Sequence, residues 1–180
     1  MGKKLIILSL VLALSGGLVA CGEDDETSGS GADSAETTPE PTPVAADIEA
    51  LVQGISKKTD AKPEVPAPQG DPPPELVMRD IVVGKGPAAK PGDTLTMQYV
   101  GISWSNGQQF DASWDAGQPF PFQLGAQMVI PGWDEGMVGM KKGGRRLLVI
   151  PPDMAYGPAG SGPIGPNETL VFVVDLVEKS

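Results

Sequence analysis

The chain has 180 residues, no His, and one Cys, Cys21, so the parts for zinc sites, iron–sulfur clusters, Ser-His-Asp triads, Cys-His nucleophile pairs and internal disulfides are missing. With 24 Gly and 19 Pro, much of it is turn or linker, and one modest domain is the ceiling. The net charge of −10 is uneven: residues 22–75 hold 13 acids and 3 bases, whereas residues 76–180 hold 10 acids and 8 bases, so a near-neutral domain follows an acidic stalk and offers no basic patch for nucleic acid.

At the N-terminus, Lys3 and Lys4 precede an apolar run from Leu5 to Leu14. That run is too short for a span of roughly 20 residues but suits the hydrophobic region of a secretory signal. Leu18-Val19-Ala20-Cys21 resembles the bacterial lipobox, which implies a signal peptide over residues 1–20, acylation of Cys21 and cleavage before it. The expected location is therefore the extracytoplasmic face of a cell membrane, held by lipid on Cys21. The acidic Ser/Thr/Pro-rich stretch over residues 21–54 is expected to be a disordered tether, since its first half has almost no apolar surface to bury. Within it, Ile48, Leu51, Val52 and Ile55 recur at helical spacing and predict a turn or two of helix. A Pro-rich arm follows over residues 55–75.

The globular part is expected over residues 76–180. Leu76 to Val83 reads as a strand and Gly84 to Asp93 as a turn-rich connection. In Asp93 to Trp104, Leu95, Met97 and Tyr99 alternate with Thr94, Thr96 and Gln98, as a half-buried strand does. Asn106-Gly107 is a hairpin turn, Gln108 to Ser113 returns, and Phe120, Phe122 and Leu124 alternate again. Ile130 to Met137 opens with Pro131 and acids in its first turn, predicting one short helix. Arg145 to Ile150 is a strand stopped by Pro151-Pro152, and a Gly/Pro-rich loop leads to the last strand, Thr169 to Val177. Strands with one short helix and no βαβ pattern predict an antiparallel α+β domain.

Seven of the nine aromatic residues fall between Tyr99 and Trp133, a density that fits either a core or an apolar ligand pocket. The motifs around them, taken in order, resemble the FKBP-type peptidyl-prolyl cis-trans isomerases from about Leu76 to Glu178. They are Tyr99-Val-Gly, Gln109-Phe110-Asp111-Ala-Ser, Pro119-Phe120-Pro-Phe122-Gln-Leu-Gly125, Val129-Ile130-Pro131-Gly132-Trp133, Ala155-Tyr156-Gly157 and Thr169-Leu-Val-Phe172. The resemblance implies a half-open antiparallel sheet wrapped around one short helix, with a shallow pocket for the proline of an Xaa–Pro peptide. It implies Trp133 as the pocket floor, with Tyr99, Phe110, Phe120, Val129, Ile130, Ile164 and Phe172 as binding residues. Asp111 and Tyr156 are the implied polar, catalytic groups, and the Ile130 N–H the donor to a substrate carbonyl. Three rim positions depart from the family pattern: Met128 stands where many members have an acid, Ser161 near a position often held by His, and one Ile, Ile164, where two are common.

Elementary chemistry agrees with that reading. Rotation about Xaa–Pro crosses a barrier of ~18–20 kcal/mol without making or breaking a covalent bond, so no nucleophile, metal or cofactor is needed. A dry apolar site that disfavours the charge-separated planar amide suffices. The implied partners are proline-containing polypeptides, macrolides such as rapamycin, and a membrane through Cys21, with no nucleic acid, and the protein is expected to be a monomer. The competing readings are a non-catalytic peptide-binding or chaperone module on a lipid anchor, a lipid-anchored solute-binding or structural protein with no enzymatic role, a turn-capping role for Asp111, and a buried, backbone-satisfied hydroxyl for Tyr156. A last expectation comes from patterning. If Leu148, Ile150, Leu170, Phe172, Val174 and Leu176 face one core, then Leu147, Val149, Val171, Val173 and Val177 form a second apolar face that wants a cover. The apolar residues between Ile48 and Pro68 are the candidates to provide it.

Overall fold

The computed structural model describes residues 43–180. Its elements are α1 (Pro43–Gly54), β1 (Val77–Val82), β2 (Thr94–Ser103), β3 (Gln109–Ala112), α2 (Ser113–Ala116), β4 (Phe120–Gln123), α3 (Pro131–Gly136), β5 (Arg145–Ile150) and β6 (Leu170–Lys179), with 3-10 turns at Pro152–Met154 and Gly157–Ala159. All strand pairs are antiparallel, in the order β1-β5-β6-β2-β3, and β4 also pairs with β2. Strands β3 and β4 share one edge of β2: β3 pairs with its Val100–Ile102 end and β4 with Thr94–Met97. The chain crosses from one to the other through α2, so Phe110 and Phe120 are delivered to the same side of the sheet. This is the α+β architecture expected.

One face of the sheet holds Leu95, Met97, Leu148, Ile150, Leu170, Phe172, Val174 and Leu176, packed against Trp133 and Met137 at α3. The short helix lies close because Gly132 and Gly136, four residues apart, turn bare backbone toward β5. A Cβ at either would collide with the side chains of Ile150 and Leu148. Arg146 completes the attachment, donating from Nη1 to the carbonyls of Gly136 (2.7 Å) and Val138 (3.0 Å) at the end of α3, and from Nε to Asp80 of β1 (2.7 Å). These bonds satisfy carbonyls that a helix C-terminus leaves without partners.

The other face carries Leu147, Val149, Val171 and Val173, all without exposed surface, and they are covered by Ile48 and Leu51 of α1 and by Ile55, the residue that follows it. This corrects the tether expected up to residue 54, because Pro43–Gly54 is one continuous helix of 12 residues, longer than the turn or two that the spacing suggested. The physical reason is tertiary: an isolated helix of that length is marginal in water, and packing an apolar stripe stabilises it. Residues 21–42, including Cys21, and the signal segment lie outside the described residues. The arm continues the cover, burying Pro63, Pro68 and Pro73, while Trp104 Nε1 donates to the Gly70 carbonyl (3.1 Å). Val177, grouped with the patch on alternation alone, is 40% exposed. The β5–β6 ladder ends at Arg145 and Asp175, and Val177 lies one step beyond the last covered pair.

Candidate active site

Between β2, β3, β4 and α3 lies a cavity of about 280 Å3, lined by Tyr99, Phe110, Asp111, Phe120, Met128, Val129, Ile130, Trp133, Tyr156 and Phe172. Trp133, 4% exposed, is at its centre, because the ring sits on the inner face of α3 while the neighbouring strands β2 and β6 bring theirs up side by side. Its ring meets Tyr99 at 5.2 Å and Phe172 at 5.3 Å, both nearly perpendicular, and Phe120 at 6.2 Å. Such edge-to-face contacts set positive ring edges against negative faces. The Trp133 indole N–H is buried and meets no acceptor among the described residues. Phe110 stands on Phe172 (5.5 Å, 83°) and over Gly101, where a Cβ would run into its ring, so only glycine in β2 lets this wall close down.

The polar groups sit on one side. Tyr99 donates its hydroxyl to Asp111 Oδ2 at 2.6 Å. Burial first, then this bond and the Asp111 charge, push the Tyr99 hydroxyl far above its ordinary range, so it stays a donor at every physiological pH. Asp111 therefore does not cap α2, whose N-cap, Ala112, has no side-chain bond. Tyr156 lines the rim with 40% of its surface exposed, which is not the buried hydroxyl of the competing reading. Opposite, Ile130 ends an extended stretch before Pro131, and its carbonyl accepts from Trp133 and Asp134 N–H. Its own N–H carries no bond to protein among the described residues.

Of the residues singled out from the sequence, the cavity gathers Tyr99, Phe110, Asp111, Phe120, Val129, Ile130, Trp133, Tyr156 and Phe172. Ile164 is the correction: it is 8% exposed, packs in the inner core, and does not line the cavity. A tight bridge between Ser161 and Ile164 folds its loop back on itself and turns the side chain into the core. Met128, which the sequence placed on the rim as a departure, is a lining residue and 67% exposed. Asp134 was missed. Read as an acid suited to a helix N-terminus, it accepts instead from the N–H groups of Gly125 (2.8 Å) and Gln127 (2.9 Å), and so fixes the loop that delivers Val129 and Ile130. The Asp directly after Trp133 was the only sequence cue.

Comparison with known proteins places this geometry. The family model for FKBP-type peptidyl-prolyl cis-trans isomerases matches residues 86–177. An FK506-binding protein of Streptomyces anulatus is 56% identical over 118 residues, covering 64% of this chain and 95% of that protein. A probable FK506-binding protein of Corynebacterium glutamicum is 49% identical over 116 residues, covering 64% and 97%. Among solved structures, that of AtFKBP13 is similar with a TM-score of 0.55 at 38% identity, over 58% of this chain and 93% of that one. With a family match over half of its length enclosing every residue of the cavity, the chain belongs to the FKBP-type peptidyl-prolyl cis-trans isomerases.

Proposed function

We propose that this isomerase works outside the cytoplasm, held at a membrane by lipid on Cys21, where it turns Xaa–Pro bonds of secreted or surface polypeptides and so aids their folding. The observation that supports the location is the order Lys3-Lys4, apolar run, Leu18-Val19-Ala20-Cys21, followed by an acidic stretch with almost no apolar content. Two or three acyl chains on one residue would anchor stably where one would not.

At the pocket, the proline ring enters between Phe110, Phe120 and Phe172 and rests on Trp133. Desolvation there raises the cost of the charge-separated planar amide relative to the twisted one, which lowers the rotational barrier. The Ile130 N–H holds a flanking carbonyl, and Asp111, tied down by the Tyr99 hydroxyl, sets a fixed negative charge beside the turning bond. The protein acts as a monomer. Macrolides such as rapamycin, or the FK506 after which two relatives are named, compete with the peptide for the same rings.

Two measurements test this reading. Cys21→Ser should release the protein or leave it uncleaved with its isomerase activity intact, and should lose labelling by a radioactive fatty acid. Labelling of Cys21→Ser equal to wild type would sink the anchor. An isomerisation assay over peptides differing in the residue before Pro, with and without rapamycin, reports substrate preference and competition. Uncompetitive or absent inhibition would remove the macrolide from the pocket.

A further inference from the structure

We propose that Lys62, in the arm that precedes the family-matched segment, is a positioning residue for the isomerase pocket. The inference rests on the isomerase activity and is independent of the anchor. Its starting point is a weakness in the wall. Phe110 and Asp111 ride on β3, a strand of four residues at the edge of the sheet, joined to β2 by three registered pairs with a shift between Gly101 and Ile102. Among the described residues no strand supports its other side, and an unsupported edge of this length has little of its own to hold a ring in place.

The support comes from Asp115 in α2. Its Oδ2 accepts from Gln109 Nε2 at 2.8 Å, so the first residue of β3 and the helix after it are stapled across Phe110 and Asp111. Lys62 Nζ closes on the same carboxylate, 2.7 Å from Oδ1 and 2.8 Å from Oδ2. Nor is Lys62 a free surface lysine. Arg145, buried in the sheet, holds the carbonyl of the preceding residue, Ala61, at 3.0 Å, and Pro63, the following residue, is buried. The sheet's outer face thus fixes the backbone of Lys62, and Lys62 fixes the carboxylate that braces the catalytic wall. An ion pair with side chains 37% and 55% exposed adds little to global stability, so its effect on geometry can be separated from its effect on folding.

The test is kcat/KM for a proline peptide alongside the melting temperature, in the full chain. Lys62→Met should lower kcat/KM by about three- to tenfold, because small misplacements of a positioning group are amplified in rate. Its melting temperature should stay within about 2 °C of wild type, as expected for an exposed pair. Lys62→Arg should restore activity to within about twofold, since the guanidinium can grip the same carboxylate. Asp115→Asn should reproduce the loss, and Lys62→Met with Asp115→Asn should be no worse than either alone, as expected for two members of one contact. Unchanged kcat/KM in Lys62→Met would overturn the proposal. So would a loss that Lys62→Arg fails to restore, a loss that follows a large fall in melting temperature, or additive losses in the double variant.

Discussion

Replacing Arg145 with Met tests whether the arm belongs to the folded unit. Arg145 is fully buried in β5 and uses all three nitrogens of its fork: Nε and Nη2 reach Asp175 at 2.6 and 2.8 Å, Nη1 the Ser56 carbonyl at 2.6 Å, and Nη2 the Ala61 carbonyl at 3.0 Å. In Arg145→Met the two carbonyls, at a partly open site, can find water, but Asp175 remains buried in the sheet with no counter-charge. Breaking one side of such a pair costs about 3–5 kcal/mol, or roughly 10–20 °C in melting temperature for a domain of this size. The cost should depend on pH in a fixed direction. Burial already pushes the Asp175 carboxyl above its ordinary value against the pull of Arg145, and removing that pull pushes it further. A carboxylate whose folded pKa exceeds the unfolded value of about 4 carries no penalty below that pH. The penalty grows as pH rises from there to the folded pKa and then levels off. Thermal unfolding followed by circular dichroism between pH 3.5 and 8 should therefore show Arg145→Met approaching wild type at the acid end. Arg145→Met with Asp175→Leu should recover much of the loss at pH 7. A deficit equal at every pH, or a double variant worse than the single, would refute the buried-charge argument.

Three further outcomes follow from the packing and the site. Phe110→Ala and Phe120→Ala should each cut kcat/KM by about tenfold or more, whereas Asp111→Ala should leave measurable turnover, because ground and twisted states differ mainly in how the rings desolvate them; abolished activity in Asp111→Ala with near-normal Phe variants would reverse that ranking. Leu51→Ala, at a helix residue 3% exposed, should cost about 2–4 kcal/mol in chemical denaturation, against about 0.5 or less for Val177→Ala on the uncovered end of the same face; equal effects would remove α1 from the cooperative unit. Lys62 first, then Gln109, hold the Asp115 carboxyl below its ordinary range, so the contact contributes above the unfolded pKa and is lost as pH falls through the folded one. A carbon-13 titration should show Asp115 moving back toward the ordinary range in Lys62→Met, and an unchanged titration would mean the ion pair does not form in solution.

What could be read in the sequence was what repeats locally. Polar–apolar alternation in Thr94–Ser103 shows β2, whereas β5 and β6 read as strands from apolar runs bounded by turn residues, in which only the two-residue alternation of strand faces sets Leu148 apart from Leu147 and Phe172 from Val171. Those runs show that two strands have no polar face, which is the trace a covering element leaves in residues it never neighbours in the chain. The extent of α1 was not legible, because its stability lies in what Ile48, Leu51 and Ile55 touch. Ile164 was misplaced for a related reason: in a Gly/Pro-rich loop no period exists to say which way a side chain turns. The ties that hold the site together were hidden by separation. Arg145 meets Ser56 and Ala61 across 89 and 84 residues, and Lys62 meets Asp115 across 53. No local pattern encodes these contacts.

Arg145 and Arg146 join the legible and hidden parts. As neighbours in a strand they point to opposite faces, and each side chain does on its face what the other does on the opposite one. Arg146 gathers the Gly136 carbonyl that ends α3, the Val138 carbonyl just beyond it and the Asp80 carboxylate, fixing the helix that carries Trp133. Arg145 gathers two arm carbonyls and the Asp175 carboxylate, fixing the cover. In both cases one group must satisfy a carboxylate with two donors and separate carbonyls with others, which a planar fork of five N–H groups can do and a single ammonium cannot. Lys at either position would keep the charge and lose the geometry. The floor of the pocket and the cover of the opposite face are therefore referenced to one strand through adjacent residues, and the arm that precedes the family-matched segment is held by the same backbone that positions the site.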